Sequence, residues 1–193
     1  LRPAHRDLVV SRRSELVIEG FPRSANTFAV VAFLMAQGRP VRIAHHLHVP
    51  AQVLLGVRFG LPVLVLVREP AQAVASLLLR HPHIPRRKAL EGYIAFHERI
   101  LAARGGFVAA SFEEVTGDFG VVIGRLNDRF GTSFLPFDGS EASVGAVFRE
   151  IEAINRRGGG LREREVARPS TERRTAASRM VREMEEGAEA PLL

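Results

Sequence analysis

The sequence has 193 residues, of which 46% are hydrophobic, and these values favour a single ordered globular domain. Cysteine is absent, which excludes disulfide bonds, thiolate metal sites and cysteine nucleophiles. The net charge is +6 and Lys88 is the single lysine, so arginine supplies nearly all of the positive charge. This balance suits an anionic partner, but it does not choose among a nucleotide, a nucleic acid, a sulfated glycan and a membrane surface.

Apolar runs and helical periodicity predict strands that alternate with helices along the chain. The predicted strands cover residues 16–21, 41–44, 62–67 and 107–111. The predicted helices cover residues 27–37, 50–58, 70–80, 86–104, 118–130, 141–155 and 171–186. Continuous apolar strands between helices are typical of a three-layer α/β/α fold, so we expect a central parallel sheet of about four or five strands. In such folds, ligands bind at the carboxyl ends of the strands.

Both ends of the chain are polar. Residues 1–14 are predicted to be a loose lead-in and residues 183–193 an acidic tail, within one domain that covers residues 1–193. Before the tail, residues 156–182 carry nine arginines and three glutamates, a net charge of +6. Charged and helix-breaking residues interrupt the longest apolar stretch, residues 51–67, so no membrane span is predicted. The N-terminal sequence lacks the pattern of a signal peptide, and we expect a cytoplasmic protein.

The turn between the first strand and the first helix is the first candidate site, and it reads PRSANTF from Pro22. Backbone N–H groups at a helix N-terminus bind anions, and Arg23, Ser24 and Thr27 can add side-chain donors. The arginine fork suits phosphate or sulfate oxygens. The alternative is an ordinary turn capped by Asn26 or Thr27, because the glycine-rich loop that ends in GK[ST] is absent.

A second strand–loop–helix segment places Arg68 directly after a buried strand. Ser76 lies eight residues further on, inside a helix that begins at Pro70. An arginine and a serine at these positions can hold one phosphate group. In the alternative interpretation, Arg68 pairs with Glu69 or Glu19. Ser76 is then only a packing residue of the helix.

Three histidines, His45, His46 and His48, follow the second predicted strand. Histidine can act as a base near neutral pH, so one of them is a candidate catalytic residue. A metal site and a purely structural cluster are the other interpretations of the same three residues. His97 lies on the apolar face of a predicted helix and is expected to be a core residue.

Together, the two anion-binding motifs resemble those of sulfotransferases that use 3′-phosphoadenosine-5′-phosphosulfate (PAPS). The PRSANTF segment is similar to the phosphosulfate-binding loop of that family. Arg68, Pro70 and Ser76 match the order and spacing of the family motif R-x-P-x-x-x-x-x-S. The resemblance covers residues 16–115 well and residues 116–193 poorly. It implies a P-loop NTPase-like fold.

The resemblance also implies roles for the matching residues. Arg23 takes the place of the basic residue at the oxygen that bridges sulfate and phosphate. The residues that would hold the 5′-phosphate are Ser24, Ala25, Asn26 and Thr27. Phe28 falls where an aromatic ring stacks on the adenine, and Arg68 and Ser76 would bind the 3′-phosphate. A C-terminal triplet that is similar to the family's R-K-G consists of Arg156, Arg157 and Gly158.

Some positions depart from the family pattern. Ala25 replaces a glycine and is strained if the loop needs a positive φ there, and Asn26 replaces a threonine. The family segment K-T-H-L-P aligns its catalytic histidine with His46, on the basis of the leucine that follows. In that alignment Ala44 replaces the lysine and His48 replaces the proline. His45 and His48 remain rivals for the role of base.

The function that the resemblance implies is transfer of a sulfuryl group from PAPS to a hydroxyl or amine, with release of adenosine 3′,5′-bisphosphate (PAP). His46 and Arg23 would be the catalytic residues, no metal is required, and the acceptor would be a small molecule or carbohydrate. A nucleic-acid partner is not expected, because no stacking aromatic residues lie near the arginine-rich segment 156–182. The alternatives are a P-loop-like small-molecule kinase and an inactive nucleotide-binding relative. Association into a homo-oligomer stays open.

Overall fold

A computed structural model describes residues 8–157 and 171–193 of the chain. The centre of the protein is a four-stranded parallel sheet with the strand order β2-β1-β3-β4. The strands are β1 Leu16–Gly20, β2 Ile43–His45, β3 Val63–Val67 and β4 Val108–Ser111. The two central strands, β1 and β3, are buried on both faces, which explains why their sequences are apolar rather than alternating.

Eight α-helices are present in the described residues. They are α1 Asn26–Ala36, α2 Pro50–Arg58, α3 Pro70–Arg80, α4 Arg86–Leu101, α5 Phe112–Gly117, α6 Phe119–Phe130, α7 Glu141–Arg157 and α8 Thr171–Glu185. The sequence did not predict α5, whose start is fixed by reciprocal hydrogen bonds between Ser111 and Glu114. None of these helices is long and apolar enough to cross a membrane.

Two hydrophobic cores lie on opposite faces of the sheet, because successive side chains of a strand point to opposite faces. Leu16 and Ile18 of β1 belong to the core that contains α1, α5, α6 and α7. Val17 belongs to the core that contains α2, α3, α4 and α8. All three side chains have 0% exposure. The predicted three-layer α/β/α fold with a parallel sheet of four strands is therefore confirmed.

The described part of the N-terminal lead-in, residues 8–14, is anchored rather than loose. The buried side chain of Gln52 accepts a hydrogen bond from the Val10 N–H at 2.6 Å and donates one to the Leu8 carbonyl at 2.8 Å. The backbone N–H of His45 donates to the same carbonyl at 3.1 Å. These bonds tie the lead-in to α2 and to the end of β2.

The acidic tail begins inside a packed helix. Met184 near the end of α8 has 0% exposure and lies in the core shared with α3 and α4. Its neighbour Glu183 forms an ion pair with Arg86 at 2.5 Å. The C-terminal helix α8 therefore packs into the fold, although most of its residues are polar.

Candidate active site

Two loops at the carboxyl edge of the sheet contain every non-glycine residue that has a positive φ in the described part of the chain. Arg23 (φ 74°) and Ala25 (φ 68°) lie in the β1–α1 loop, and His46 (φ 60°) and His48 (φ 54°) lie in the β2–α2 loop. A left-handed backbone costs about 1–2 kcal/mol for a residue with a Cβ. Such strain collects at functional sites, where the surrounding structure maintains it. These loops are therefore the first candidates for a functional site.

The β1–α1 loop leaves the N-terminus of α1 without a side-chain cap. Ala25 occupies the N-cap position and has no side-chain acceptor. Asn26 instead donates from Nδ2 to the Phe21 carbonyl at 3.2 Å, and Thr27 Oγ1 lies 3.0 Å from His46 Nε2. The alternative interpretation, an ordinary turn capped by Asn26 or Thr27, is therefore wrong. Uncapped N–H groups at a helix N-terminus are an anion-binding feature.

The tertiary structure brings the two predicted anion-binding motifs into direct contact. Arg23 Nε donates a hydrogen bond to Ser76 Oγ at 3.0 Å, although the two residues are 53 positions apart. Arg68 Nη1 donates to the Arg23 carbonyl at 3.1 Å. The guanidinium carbon of Arg68 also lies 4.1 Å from the centre of the Phe112 ring, a cation–π contact. The arginine and serine of the second motif thus adjoin the loop of the first.

Glu69 and Glu19, the two carboxylates considered as partners of Arg68, accept backbone N–H groups instead. Glu69 caps α3, because its side chain accepts the N–H groups of Ala71 at 3.0 Å and Gln72 at 2.7 Å. Glu19 accepts backbone N–H groups of the β2–α2 loop. Neither carboxylate forms an ion pair with Arg68. Burial lowers the pKa of Arg68, and the nearby charges of Glu113 and Glu69 oppose that change.

Three buried polar atoms in this cluster have no hydrogen-bond partner. They are Ser24 Oγ, Asn26 Oδ1 and Arg68 Nε, and Ser24 has 0% exposure. A buried polar atom left without a partner costs about 1–3 kcal/mol, so such atoms are uncommon in native proteins. Ser24 Oγ and Arg68 Nε can donate hydrogen bonds, whereas Asn26 Oδ1 is an acceptor and would need a donor other than a phosphate oxygen. Ser24 and Arg68 fit the phosphate groups of a nucleotide, whose oxygens would accept both hydrogen bonds.

Positive charge is concentrated around Arg23. Burial, and the positive charges of Arg80, Arg173 and Arg68, lower the pKa of Arg23 to about 10. Sequence reasoning did not single out Arg80, although it lies four residues after Ser76 and therefore on the same face of α3. Arg173 lies on α8, which packs against α3. The site is more positive than the motifs alone indicate.

The β2–α2 loop brings three imidazole rings together next to α1. The Nδ1 atoms of His45 and His46 lie within hydrogen-bond distance, so one of the two rings carries its proton on Nδ1. His48 Nδ1 donates to the Gly20 carbonyl at 2.9 Å, which leaves the lone pair of His48 on Nε2. The centres of the His46 and His48 rings are 5.8 Å apart. The cluster is thus oriented by hydrogen bonds to the backbone and to Thr27.

All three imidazoles are neutral at neutral pH. Burial, and the neighbouring rings of His45 and His48, lower the pKa of His46 to about 3. Burial and the His48 ring lower the pKa of His45 to about 4, and burial also lowers the pKa of His48. A neutral imidazole can accept a proton. An anion bound at the N-terminus of α1 would raise these pKa values, because negative charge stabilises the imidazolium form.

Phe28 lies in the hydrophobic core between α1 and α7. It is 7% exposed, and its ring centre lies 6.1 Å from that of Phe137 and 5.7 Å from that of Phe148. Stacking on an adenine, the role predicted by resemblance, would require the ring to leave these contacts. The adenine prediction for Phe28 therefore stays a prediction.

The C-terminal triplet is described only in part. Arg156 and Arg157 are exposed at the end of α7, and Arg157 forms an ion pair with Glu150 at 2.6 Å. Gly158 lies outside the described residues. The role of this triplet at the 3′-phosphate is untested. His97 contacts the rings of Tyr93 and Phe96 but is half-buried, rather than the core residue that was expected.

The strained backbone of Ala25 predicts that the same alanine-to-glycine substitution changes the free energy of unfolding differently at two positions of the chain. Ala25→Gly relieves a left-handed conformation, so we expect the free energy of unfolding to change by less than about 1 kcal/mol. Ala29→Gly, four residues further on, is the matched control, because Ala29 has 0% exposure inside α1. It should lower the free energy of unfolding by about 1–2 kcal/mol. Urea unfolding measures both, and equal losses would contradict the strain at Ala25.

Other features of the surface lie away from these loops. A cavity of about 610 Å³ lies at the opposite edge of the sheet, where Glu15 pairs with Arg39 at 2.6 Å. It contains none of the motif residues. Within residues 8–157 and 171–193, no group of three or more histidine or carboxylate side chains is arranged to hold a metal ion.

Comparison with known proteins supports the fold. No protein-family model matches the sequence, and no curated protein matches it. Among solved structures, the chain is similar to the crystal structure of a mouse sulfotransferase complexed with PAP. The TM-score is 0.50, and the match covers 97% of this chain and 89% of that chain. Because the sequence identity is 11%, this likeness establishes a shared sulfotransferase-like fold and assigns no residue roles.

Proposed function

We propose that the protein is a PAPS-dependent sulfotransferase that transfers a sulfuryl group to a hydroxyl or amine of an acceptor. The observation that carries this proposal is the convergence of Arg23, Arg68 and Ser76 beside the uncapped N-terminus of α1. Two unpartnered buried donors, Ser24 Oγ and Arg68 Nε, lie in the same cluster. A nucleotide with phosphate groups at two positions would occupy both the β1–α1 loop and the Arg68–Ser76 pair. A simple anion would occupy only one of these two motifs.

Each part of the cluster has a proposed role at the nucleotide. The loop side chains Ser24 and Thr27 and the first-turn N–H groups of α1 would hold the 5′-phosphate, with Ala25 and Asn26 shaping the loop around it. Arg68 and Ser76 would hold the 3′-phosphate. When bound, PAPS supplies an activated sulfuryl group whose sulfur–oxygen bond to the 5′-phosphate breaks as the acceptor atom bonds to sulfur. Arg23 would stabilise the negative charge that develops on that phosphate.

His46 is the proposed general base. Its Nε2 lies 3.0 Å from Thr27 Oγ1, so the ring is held at the helix end where the reacting group would lie. Burial keeps the imidazole neutral but lowers its pKa to about 3, so the proposed base needs the negative charge of a bound phosphate to raise that pKa. If Thr27 turned its hydroxyl to a bound phosphate, His46 Nε2 would be released for the acceptor. His46 Nε2 carries a lone pair in the tautomer that has its proton on Nδ1. His48 is the competing candidate, because donation from its Nδ1 to the Gly20 carbonyl leaves a lone pair on its Nε2.

Nucleotide selectivity tests this proposal without knowledge of the acceptor. We expect calorimetry to show that PAP binds at least about tenfold more tightly than AMP, because losing a charge-assisted contact costs about 1.5–3 kcal/mol. ATP, which lacks a 3′-phosphate, should also bind more weakly than PAP. Equal affinities for PAP and AMP would contradict the assignment of Arg68 and Ser76 to the 3′-phosphate. Preference for ATP would favour the kinase alternative.

A further inference from the structure

Glu19 is a fully buried carboxylate beside the histidine cluster. It lies near the carboxyl end of β1, has 0% exposure and forms no ion pair with the described arginines or with Lys88. Its Oε1 accepts the backbone N–H of Leu47 at 3.0 Å, and its Oε2 accepts the backbone N–H of His48 at 2.8 Å. Burial raises its pKa to about 7, and the backbone N–H groups of Leu47, His48, Gly20 and Val49 oppose that rise. Retaining such a group requires a compensating role.

The loop that Glu19 contacts needs support from outside. His46 and His48 both have left-handed backbones, and each such residue costs about 1–3 kcal/mol. The N–H of Leu47, between them, and the N–H of His48 have Glu19 as their acceptor. Without that carboxylate, both donors would lack their partner, and the loop would lose two of the hydrogen bonds that hold its conformation.

We propose that Glu19 is a positioning residue that clamps the β2–α2 loop and thereby holds the His46 and His48 rings against α1 and β1. This inference rests on the proposed function only in so far as those rings serve catalysis. Through the clamp, His46 Nε2 stays at Thr27 and His48 Nδ1 stays at the Gly20 carbonyl. Both Glu19 oxygens are occupied by backbone donors, so the carboxylate acts on the loop rather than on an acceptor.

The chemistry of the clamp requires a carboxylate of this length. A glutamine at the same position offers one acceptor oxygen, and its amide NH₂ would face the second backbone N–H as a donor against a donor. An aspartate keeps both acceptors but is one methylene shorter. Glu19→Gln is therefore the sharpest variant, since it preserves the shape of the side chain and removes one of the two hydrogen bonds.

Amide hydrogen exchange measures the clamp in the ligand-free protein. In Glu19→Gln, the amides of Leu47 and His48 should exchange about 5- to 150-fold faster, the range expected for one buried donor left unpaired. The amides of β1 and β3 should keep their protection. Glu15→Gln is the matched control, because Glu15 also accepts a backbone N–H, that of Arg42 at 3.1 Å, at the other end of β1. Its effect should be confined to Arg42.

A functional measurement separates positioning from binding and from general unfolding. In Glu19→Gln, the rate of PAP formation from PAPS should fall about 10- to 100-fold, which is less than the loss expected when the base itself is removed. PAP affinity should stay within about threefold of wild type. Unchanged exchange at Leu47 and His48 would overturn the clamp. Loss of turnover without faster exchange would also overturn it and would make Glu19 a base. If the wild-type protein did not bind PAP, the proposed function would be wrong, but the hydrogen-exchange test of the clamp would still be valid.

Discussion

Arg68→Ala is expected to weaken PAP binding by about 2–4 kcal/mol, or about 30- to 700-fold, because a buried charged hydrogen-bonding partner is lost. The arginine is already held in place by the Arg23 carbonyl at 3.1 Å and by the Phe112 ring. Little side-chain freedom is therefore lost on binding, and most of its interaction energy contributes to affinity. Calorimetric titration of the folded variant with PAP measures the change.

Two further variants make the Arg68 result specific. Ser76→Ala removes a neutral partner and should cost about 1 kcal/mol of PAP affinity. Arg58→Ala removes the same charge from an exposed arginine at the end of α2 and should leave PAP affinity unchanged. Melting curves confirm that each variant is folded. Unchanged PAP affinity in folded Arg68→Ala would contradict the assigned phosphate site.

His46→Ala is expected to lower turnover by about 10²–10⁴-fold, the contribution of a positioned general base. PAP affinity should stay nearly intact, because the base acts on the acceptor and not on the nucleotide. Turnover is measured with a working acceptor or, without one, by the slow formation of PAP from PAPS. A parallel loss of PAP binding would show that the variant disturbs Thr27 rather than the base.

His45→Ala and His48→Ala are the controls for this assignment. Both should lose much less turnover than His46→Ala, although His48 has an oriented lone pair on Nε2. An inactive His48→Ala beside an active His46→Ala would move the base by two positions and keep the mechanism. Full turnover in all three variants would exclude histidine as the base.

Most of the fold was predictable because its signals are local. The apolar strands β1 and β3 lie within one residue of their predicted ranges, and helices such as Pro70–Arg80 match in full. The short helix Phe112–Gly117 was missed, because six residues are too few for a helical period to emerge. The strand β2 is shorter and later than predicted, since Val41 and Arg42 precede its pairing with β1.

The candidate site was predictable in its residue types but not in its contacts. The two motifs predicted two strand ends that meet at one edge of a parallel sheet, and the sheet order β2-β1-β3-β4 brings them together. No local pattern predicted that Arg80 and Arg173 lie in reach of Arg23, because α3 and α8 come from distant parts of the chain. The glycine that the family pattern has at position 25 raised the possibility of a positive φ, and the structure shows one at Ala25.

The amino-acid sequence was enough to predict that strands alternate with helices, that Arg23 and Arg68 follow strand ends, and that disulfide bonds are absent. These follow from side-chain periodicity and residue chemistry, which act over a few neighbouring positions. Only the tertiary structure decided that Glu19 is a buried acceptor for the β2–α2 loop rather than a partner of Arg68. The physical reason is that hydrogen bonds between residues 28 and 29 positions apart depend on how the strands pair, and that pairing is fixed by burial of the whole sheet.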